Sequence, residues 1–324
     1  MPHHDRQHAL PRQSRAACRG WRCIDFLSDL HLHEGDDGAA TAQAFAHYLQ
    51  HTPADAVFLL GDVFEVWVGD DAATPGSFEA RVAAQIRALS QRAAVHFMAG
   101  NRDFLLGPTF LAQAGLQGLH DPTCLDLGAG QRWLLTHGDA WCLDDVDYQR
   151  FRTQVRTPTW QAALLAKPLA ERQAIARAMR QASASKQADM LSHADVDTAT
   201  AQAALAASDA SVLLHGHTHR PAEHALAPNR EPATGQPIRL STEQPATPGV
   251  EPGPLRIVLS DWDLQARPPR ADVIRLMRDT PAAAPAAVTA AADTAGAQTT
   301  PGWTWQRISL TQGGDRAAAL FGVR

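Results

Sequence analysis

Five short polar motifs, each directly behind a run of strand-forming residues, constrain this chain more than any other feature. In order they are SDLH (28–31), GD (61–62), GNRD (100–103), HGD (137–139) and HGHTHRP (215–221). The runs RCIDFL, AVFLL, AVHFMA, QRWLLT and SVLL lead into them. TAQAFAHYLQH and SFEARVAAQIRALSQR, set between these runs, have helical spacing. Short apolar runs alternating with helical patterns predict an α/β layered fold. Such folds place ligands at the carboxyl ends of their strands. Five strand ends would then deliver Asp, His and Asn to one edge.

The donors that would meet there are Asp29, His31, Asp62, Asn101, His137, His217 and His219. Carboxylates, imidazoles and an amide oxygen suit Mn²⁺, Fe or Zn²⁺, and the lack of cysteine among them speaks against a structural zinc site. In D-x-H and H-x-H, alternate residues of an extended segment point the same way, so both reach one ion. An Asp behind a Gly can bridge two ions, because glycine lets backbones approach closely. Two ions about 3.5–4 Å apart hold a hydroxide and neutralise charge on a phosphoryl group. The residues therefore point to phosphoester hydrolysis.

Isolated histidines carry less weight. His3, His4, His8, His33, His47, His51, His96, His193 and His224 read as surface or satisfied core residues, and His120 as a loop residue. His215 would orient a neighbouring ligand. Asp103 reads as a residue that orients a ligand or caps a turn, and Asp70 and Asp71 as surface or supporting charges.

The net charge of −5 over 324 residues argues against a general nucleic-acid binder, whose footprint would be basic. Cys18, Cys23, Cys124 and Cys142 form no CxxC pair, which predicts reduced thiols in a cytoplasmic protein. No apolar run approaches the roughly 20 residues of a spanning helix. Residues 1–20 read as a disordered extension before one domain over 21–324. Within that domain 145–207 turns helical, and LRIVLSDWD, ADVIRLM and WTWQRISL look like terminal strands. The Pro-, Gly- and Thr-rich stretch 227–254 and the low-complexity stretch 280–302 read as flexible insertions.

The ordered set D-x-H, GD, GN-x-D, H and GH-x-H resembles the calcineurin-like metallophosphoesterase superfamily. GDVFEVWVGDD (61–71), GNRDFLL (100–106) and HGHTHRP narrow the resemblance to the UDP-2,3-diacylglucosamine hydrolases of lipid A biosynthesis. That resemblance implies a sandwich of two mixed sheets flanked by helices, with a helical cap over 145–207. It implies two Mn²⁺ ions, one held by Asp29, His31, Asp62 and His219, the other by Asp62, Asn101, His137 and His217. Asp62 would bridge them. It further implies attack on the α-phosphorus of a UDP-linked diacylated glucosamine, with UMP released and 2,3-diacylglucosamine 1-phosphate left. Substrate contacts would come from Asn101, Arg102, Asp145, Ser183, Lys186 and His217, with Asp62, Asn101, Arg102 and His137 as the catalytic group.

Arg102 stands where the wider superfamily has a histidine. Its guanidinium does not give up a proton but makes a planar clamp for phosphate. This favours a pyrophosphate substrate over a phosphoprotein. Residues 150–186 carry eight basic residues against Glu171 alone, a local +7, with Leu164, Leu165, Leu169, Ile175 and Met179 among them. A basic amphipathic cap suits an anionic glycolipid and the anionic cytoplasmic face of an inner membrane, with no obligate protein partner. Other readings stay open at this point. One is an enzyme of the same fold acting on phosphoproteins, cyclic nucleotides or soluble nucleotide diphosphates. The other is a metal-poor scaffold without turnover.

Overall fold

The computed structural model describes residues 14–18, 20–189, 194–227, 253–279, 299–300 and 302–311, with the backbone alone for 181–189 and 299–300. The element order is β1 (Ser14–Ala17), β2 (Cys23–Leu27), α1 (Asp36–His51), β3 (Ala56–Leu60), α2 (Phe78–Ser90), β4 (Ala94–Met98), α3 (Pro108–Ala114) and β5 (Gln117–Leu119). Then come β6 (Thr123–Gly128), β7 (Gln131–Leu135), α4 (Val146–Val155), α5 (Pro158–Leu165), α6 (Leu169–Asp189), α7 (Thr198–Ser208) and β8 (Val212–His215). The described part closes with β9 (Ala222–Ala225), β10 (Leu255–Val258), β11 (Asp272–Arg278), β12 (Thr299–Thr300) and β13 (Trp303–Ser309).

Two mixed sheets result. One has the order β12-β13-β11-β2-β3-β4-β5, the other β1-β6-β7-β8-β10-β9. β2, β3, β4 and β5 run parallel, and so do β7, β8 and β10. Strands buried on both faces must be apolar throughout, which is why AVFLL has no polar member. Alternation sends Ile24, Phe26, Phe58 and Leu60 inward against Leu125, Trp133, Leu135 and Leu214 of the facing sheet. Leu27, Val57, Leu59 and Val95 point the other way, onto Phe45, Val82, Ile86 and Phe110 of α1, α2 and α3. The two-mixed-sheet architecture expected from sequence is therefore present.

A buried ion pair ties the end of the chain to its beginning. Arg275 on β11 stands opposite Asp25 on β2 and donates to both carboxylate oxygens at 2.7 and 2.8 Å. Tyr48 and Thr52 also donate to Asp25, at 2.9 and 2.6 Å. Four donors on one carboxylate offset the cost of taking it out of water.

Two boundaries differ from expectation. Ser14–Ala17 is no disordered extension: it pairs in parallel with β6, from Ser14 opposite Thr123 to Ala17 opposite Asp126. Thr299 and Thr300, assigned to a flexible insertion, pair with β13. In both cases backbone pairing with a distant strand supplies what local composition does not. The rest of 1–20, 227–254 and 280–302 lies almost wholly outside the described residues. The helical stretch also divides. α4, α5 and α6 form the cap, whereas Ala201, Ala204 and Leu205 of α7 pack on Leu134 and Leu213 as a flanking helix of the second sheet.

Candidate active site

All seven predicted donors lie just past the carboxyl ends of β2, β3, β4, β7 and β8. Ligand atoms of Asp29, His31 and His219 lie within 4.8 Å of one another, as do those of Asp29, Asp62 and His137. Asn101 joins the second group through its amide oxygen, with His137 Nε2 at 3.0 Å and His217 Nδ1 at 2.9 Å. Asp29 is common to both three-residue groups, while Asp62, the expected bridge, belongs to one. His137 is wholly buried, whereas the His219 side chain is 40% exposed. The cluster thus opens to solvent on the His219 side.

The loops that build it are strained. Asp29, His31, Asp62, His217 and His219 all have left-handed φ, between 48° and 66°. Such conformations cost non-glycine residues about 1 kcal/mol or more each and gather at functional sites. Two glycines permit the close approach. A Cβ on Gly100 would strike Asp62 Oδ1, and one on Gly216 would strike Ser28 Oγ and Asp29 Oδ2.

Each ring is aimed from behind. His31 Nδ1–H donates to Glu65 at 2.7 Å, and His137 Nδ1–H to the Leu60 carbonyl at 2.9 Å, which frees each Nε2 for the cluster. His219 has Asp261 behind it, 3.7 Å from Nδ1. Asp103 accepts the Gly100 and Val63 amides at 2.7 Å each and so cross-links the GNRD and GD loops.

The electrostatics are those of a cation site. Burial would raise the Asp29 carboxyl, but the adjacent His219, with the charges of His137 and His31, holds it well below the usual range. Burial would lower His137, yet Asp62, Asp29 and Asp139 lift it to about 9. Burial and the His137 charge push His217 down to about 4. Asp29 Oδ1 is buried and has no hydrogen-bond partner, though it lies 3.3 Å from His219 Nε2. Leaving such an acceptor unmet costs on the order of 1–3 kcal/mol. A divalent cation among these oxygen and nitrogen donors would meet it, so the residues fit the metal their chemistry implies.

The cap is clamped to this edge by its arginines. Asp139 takes Arg152 Nε at 2.7 Å and the Tyr148 hydroxyl at 2.5 Å. Arg156 donates to the Gly100 carbonyl at 2.8 Å and lies 3.6 Å from Asp139. Arg172 pairs with Asp71 and reaches the Val68 carbonyl. Arg180 lies 2.5 Å from Glu65. Arg150 pairs with Asp147 within α4, and Lys167, in the turn before α6, pairs with Glu171. Six of the eight basic residues counted in the sequence thus have acidic partners, and four of them, Arg152, Arg156, Arg172 and Arg180, pair with carboxylates outside the cap.

The other expected residues divide. Arg102 lies at the cluster, its backbone N–H on Asp62 Oδ1 at 2.8 Å. Asp145 caps α4 by accepting the Tyr148 amide at 3.0 Å. Ser183 and Lys186 fall on α6 where side chains lie outside the described residues. His215 is buried and donates to the Gly216 carbonyl rather than to a ligand. Asp70 holds the start of α3, accepting from Gly107 and Phe110. His96 is a core residue but not a satisfied one, since neither ring nitrogen has a partner. Sequence reasoning gave no role to Glu65, Asp139 or Asp261. The first two stand inside the motif segments GDVFEVWVGDD and HGD, which was the available signal.

A family model described as calcineurin-like phosphoesterase matches residues 24–221, from β2 through HGHTHRP. A UDP-2,3-diacylglucosamine hydrolase of Chromobacterium violaceum is 47% identical over 62% of this chain and 84% of that protein. Those of Chromohalobacter salexigens and Bordetella pertussis are 38% and 41% identical, covering 79% and 78% of this chain and 93% and 90% of theirs. The chain belongs to the calcineurin-like phosphoesterase family.

Proposed function

We propose that this chain hydrolyses the pyrophosphate bond of UDP-2,3-diacylglucosamine in lipid A biosynthesis, giving UMP and 2,3-diacylglucosamine 1-phosphate. The convergence of all seven donors at one edge, beside Arg102, carries the hydrolase reading. The relatives that bear the name UDP-2,3-diacylglucosamine hydrolase support the substrate.

Two divalent cations, which we take to be Mn²⁺, would lower the pKa of a water and neutralise phosphoryl charge at this donor set. Asp29, His31, Asp62 and His219 would hold one, and Asp62, Asn101, His137 and His217 the other. Arg102 supplies a fixed positive fork for phosphate oxygens and, unlike a histidine there, holds no proton to give the leaving group. With attack at the α-phosphorus the group that departs is 2,3-diacylglucosamine 1-phosphate, a phosphate monoester that needs little protonation. Asn101, Arg102, Asp145, Ser183, Lys186 and His217 are the proposed substrate contacts.

The cap bears the apolar surface that a diacylated substrate requires. Of seven large apolar side chains exposed among the described residues, Leu143, Val146, Phe151, Leu165 and Met179 belong to the cap or its entry. Val66 lies in the loop against α6, and Met277 alone lies elsewhere. Clustered exposed apolar residues mark contact surfaces. None of the described helices is long and apolar enough to cross a membrane. Peripheral attachment to the cytoplasmic face of the inner membrane, through this apolar cap more than through its paired arginines, completes the proposal.

UMP release from the diacylated substrate, compared with release from UDP-N-acetylglucosamine, tests the reading. The diacylated substrate is expected to turn over far faster; equal rates would remove the lipid from the proposal.

A further inference from the structure

We propose that Glu65 is a positioning residue that joins the metal edge to the cap: one carboxylate oxygen orients His31, and the other seats the arginines over the site. The proposal rests on the metal-site reading above and adds to it a residue outside the seven donors. Glu65 Oε2 accepts the His31 Nδ1–H at 2.7 Å. That contact fixes the tautomer and turns Nε2 inward, 3.3 Å from His219 Nε2 and 4.0 Å from Asp29 Oδ1. Glu65 Oε1 faces the other way, with Arg180 Nη2 of α6 at 2.5 Å and Arg102 Nη1 at 3.8 Å.

Two guanidinium groups would repel each other at this range without the shared carboxylate. With it, both are held on the side of Glu65 away from His31, and their side chains, 29% and 45% exposed, keep N–H groups for an anionic substrate. The Glu65 side chain is only 13% exposed, so solvent does not substitute for it. The cap helix and a candidate metal ligand are therefore held by opposite oxygens of one side chain.

Calorimetric titration of the full-length, chelator-stripped protein with Mn²⁺ alone tests this, with the KM and kcat of UMP release as a second readout. Glu65→Ala is expected to weaken Mn²⁺ binding at one site by about 10–100-fold, the usual cost of removing a partner behind a metal-bound histidine. Glu65→Gln keeps an oxygen that accepts the His31 N–H but not the charge that holds the arginines. It should recover most of the Mn²⁺ affinity while KM stays raised. Arg180→Ala should keep wild-type Mn²⁺ affinity and raise KM.

Wild-type Mn²⁺ affinity in Glu65→Ala overturns the proposal. So does a Glu65→Gln variant that binds Mn²⁺ as weakly as the alanine, because general destabilisation would not be rescued by the amide. Should Glu65→Ala not fold, the split between affinity and KM in Glu65→Gln decides alone. The titration contains no substrate, so an error about the substrate leaves its result standing. A wild-type chain that binds no Mn²⁺ overturns both readings.

Discussion

His96 lies on β4 far from any charge partner, its ring stacked on Phe58 at 4.5 Å between centroids and edge-on to Trp21 at 5.6 Å. Neither ring nitrogen has a hydrogen-bond partner, and burial lowers its pKa from 6.5 to about 4. A depressed folded pKa means that the unfolded chain binds the proton first as pH falls. Stability is full above pH 6.5 and is lost progressively toward pH 4. The whole span is worth about 3 kcal/mol, of which about 2 kcal/mol is gone by pH 5. His96→Phe keeps an aromatic ring between Trp21 and Phe58 and removes the titrating group. Urea unfolding of both proteins at pH 7.5 and pH 5 measures the effect. The stability difference between variant and wild type should move in favour of the variant by about 2 kcal/mol on going to pH 5. Using the change in that difference cancels both the other titrating groups and any misfit of the larger ring. Parallel losses in the two proteins would refute the reasoning.

Asp62→Ala should abolish turnover with little change in melting temperature, since it removes one of several crowded carboxylates; wild-type-like kcat would overturn the two-metal account. Asp25→Ala leaves Arg275 buried without its carboxylate, and urea unfolding should register a loss of about 3–5 kcal/mol. Mn²⁺ stoichiometry in that variant should not change. Gly100→Ala would force a Cβ into Asp62, so Mn²⁺ content by elemental analysis should fall along with activity. An alanine variant with full metal content and wild-type kcat would show that the close approach is dispensable.

The donor set was legible because its geometry is local. In each motif a strand run fixes the direction and one or two residues follow it, so spacing alone places Asp29, Asp62, Asn101, His137 and His217 at one edge. The helical pattern and the three terminal strands were legible for the same reason. What sequence could not supply depends on partners far along the chain. Ser14–Ala17 has no apolar alternation of its own and becomes a strand only by pairing with β6. Arg172 reads as part of a free basic face until the fold brings it to Asp71, 101 positions away. Most of the acidic charge that pairs with the basic cap, Asp139, Asp71 and Glu65, lies in loops of the core, which a count along the cap alone does not see. Glu65 sits in a quoted motif, yet only the folded chain shows that its two oxygens face His31 and Arg180.

The central claim is hydrolysis at the α-phosphorus by water, and isotope labelling tests it most directly. Turnover of UDP-2,3-diacylglucosamine in ¹⁸O-water with Mn²⁺, followed by mass spectrometry of both products, should place a single ¹⁸O in UMP and none in the sugar 1-phosphate. Label in the sugar 1-phosphate, or turnover that yields no UMP, would contradict the account.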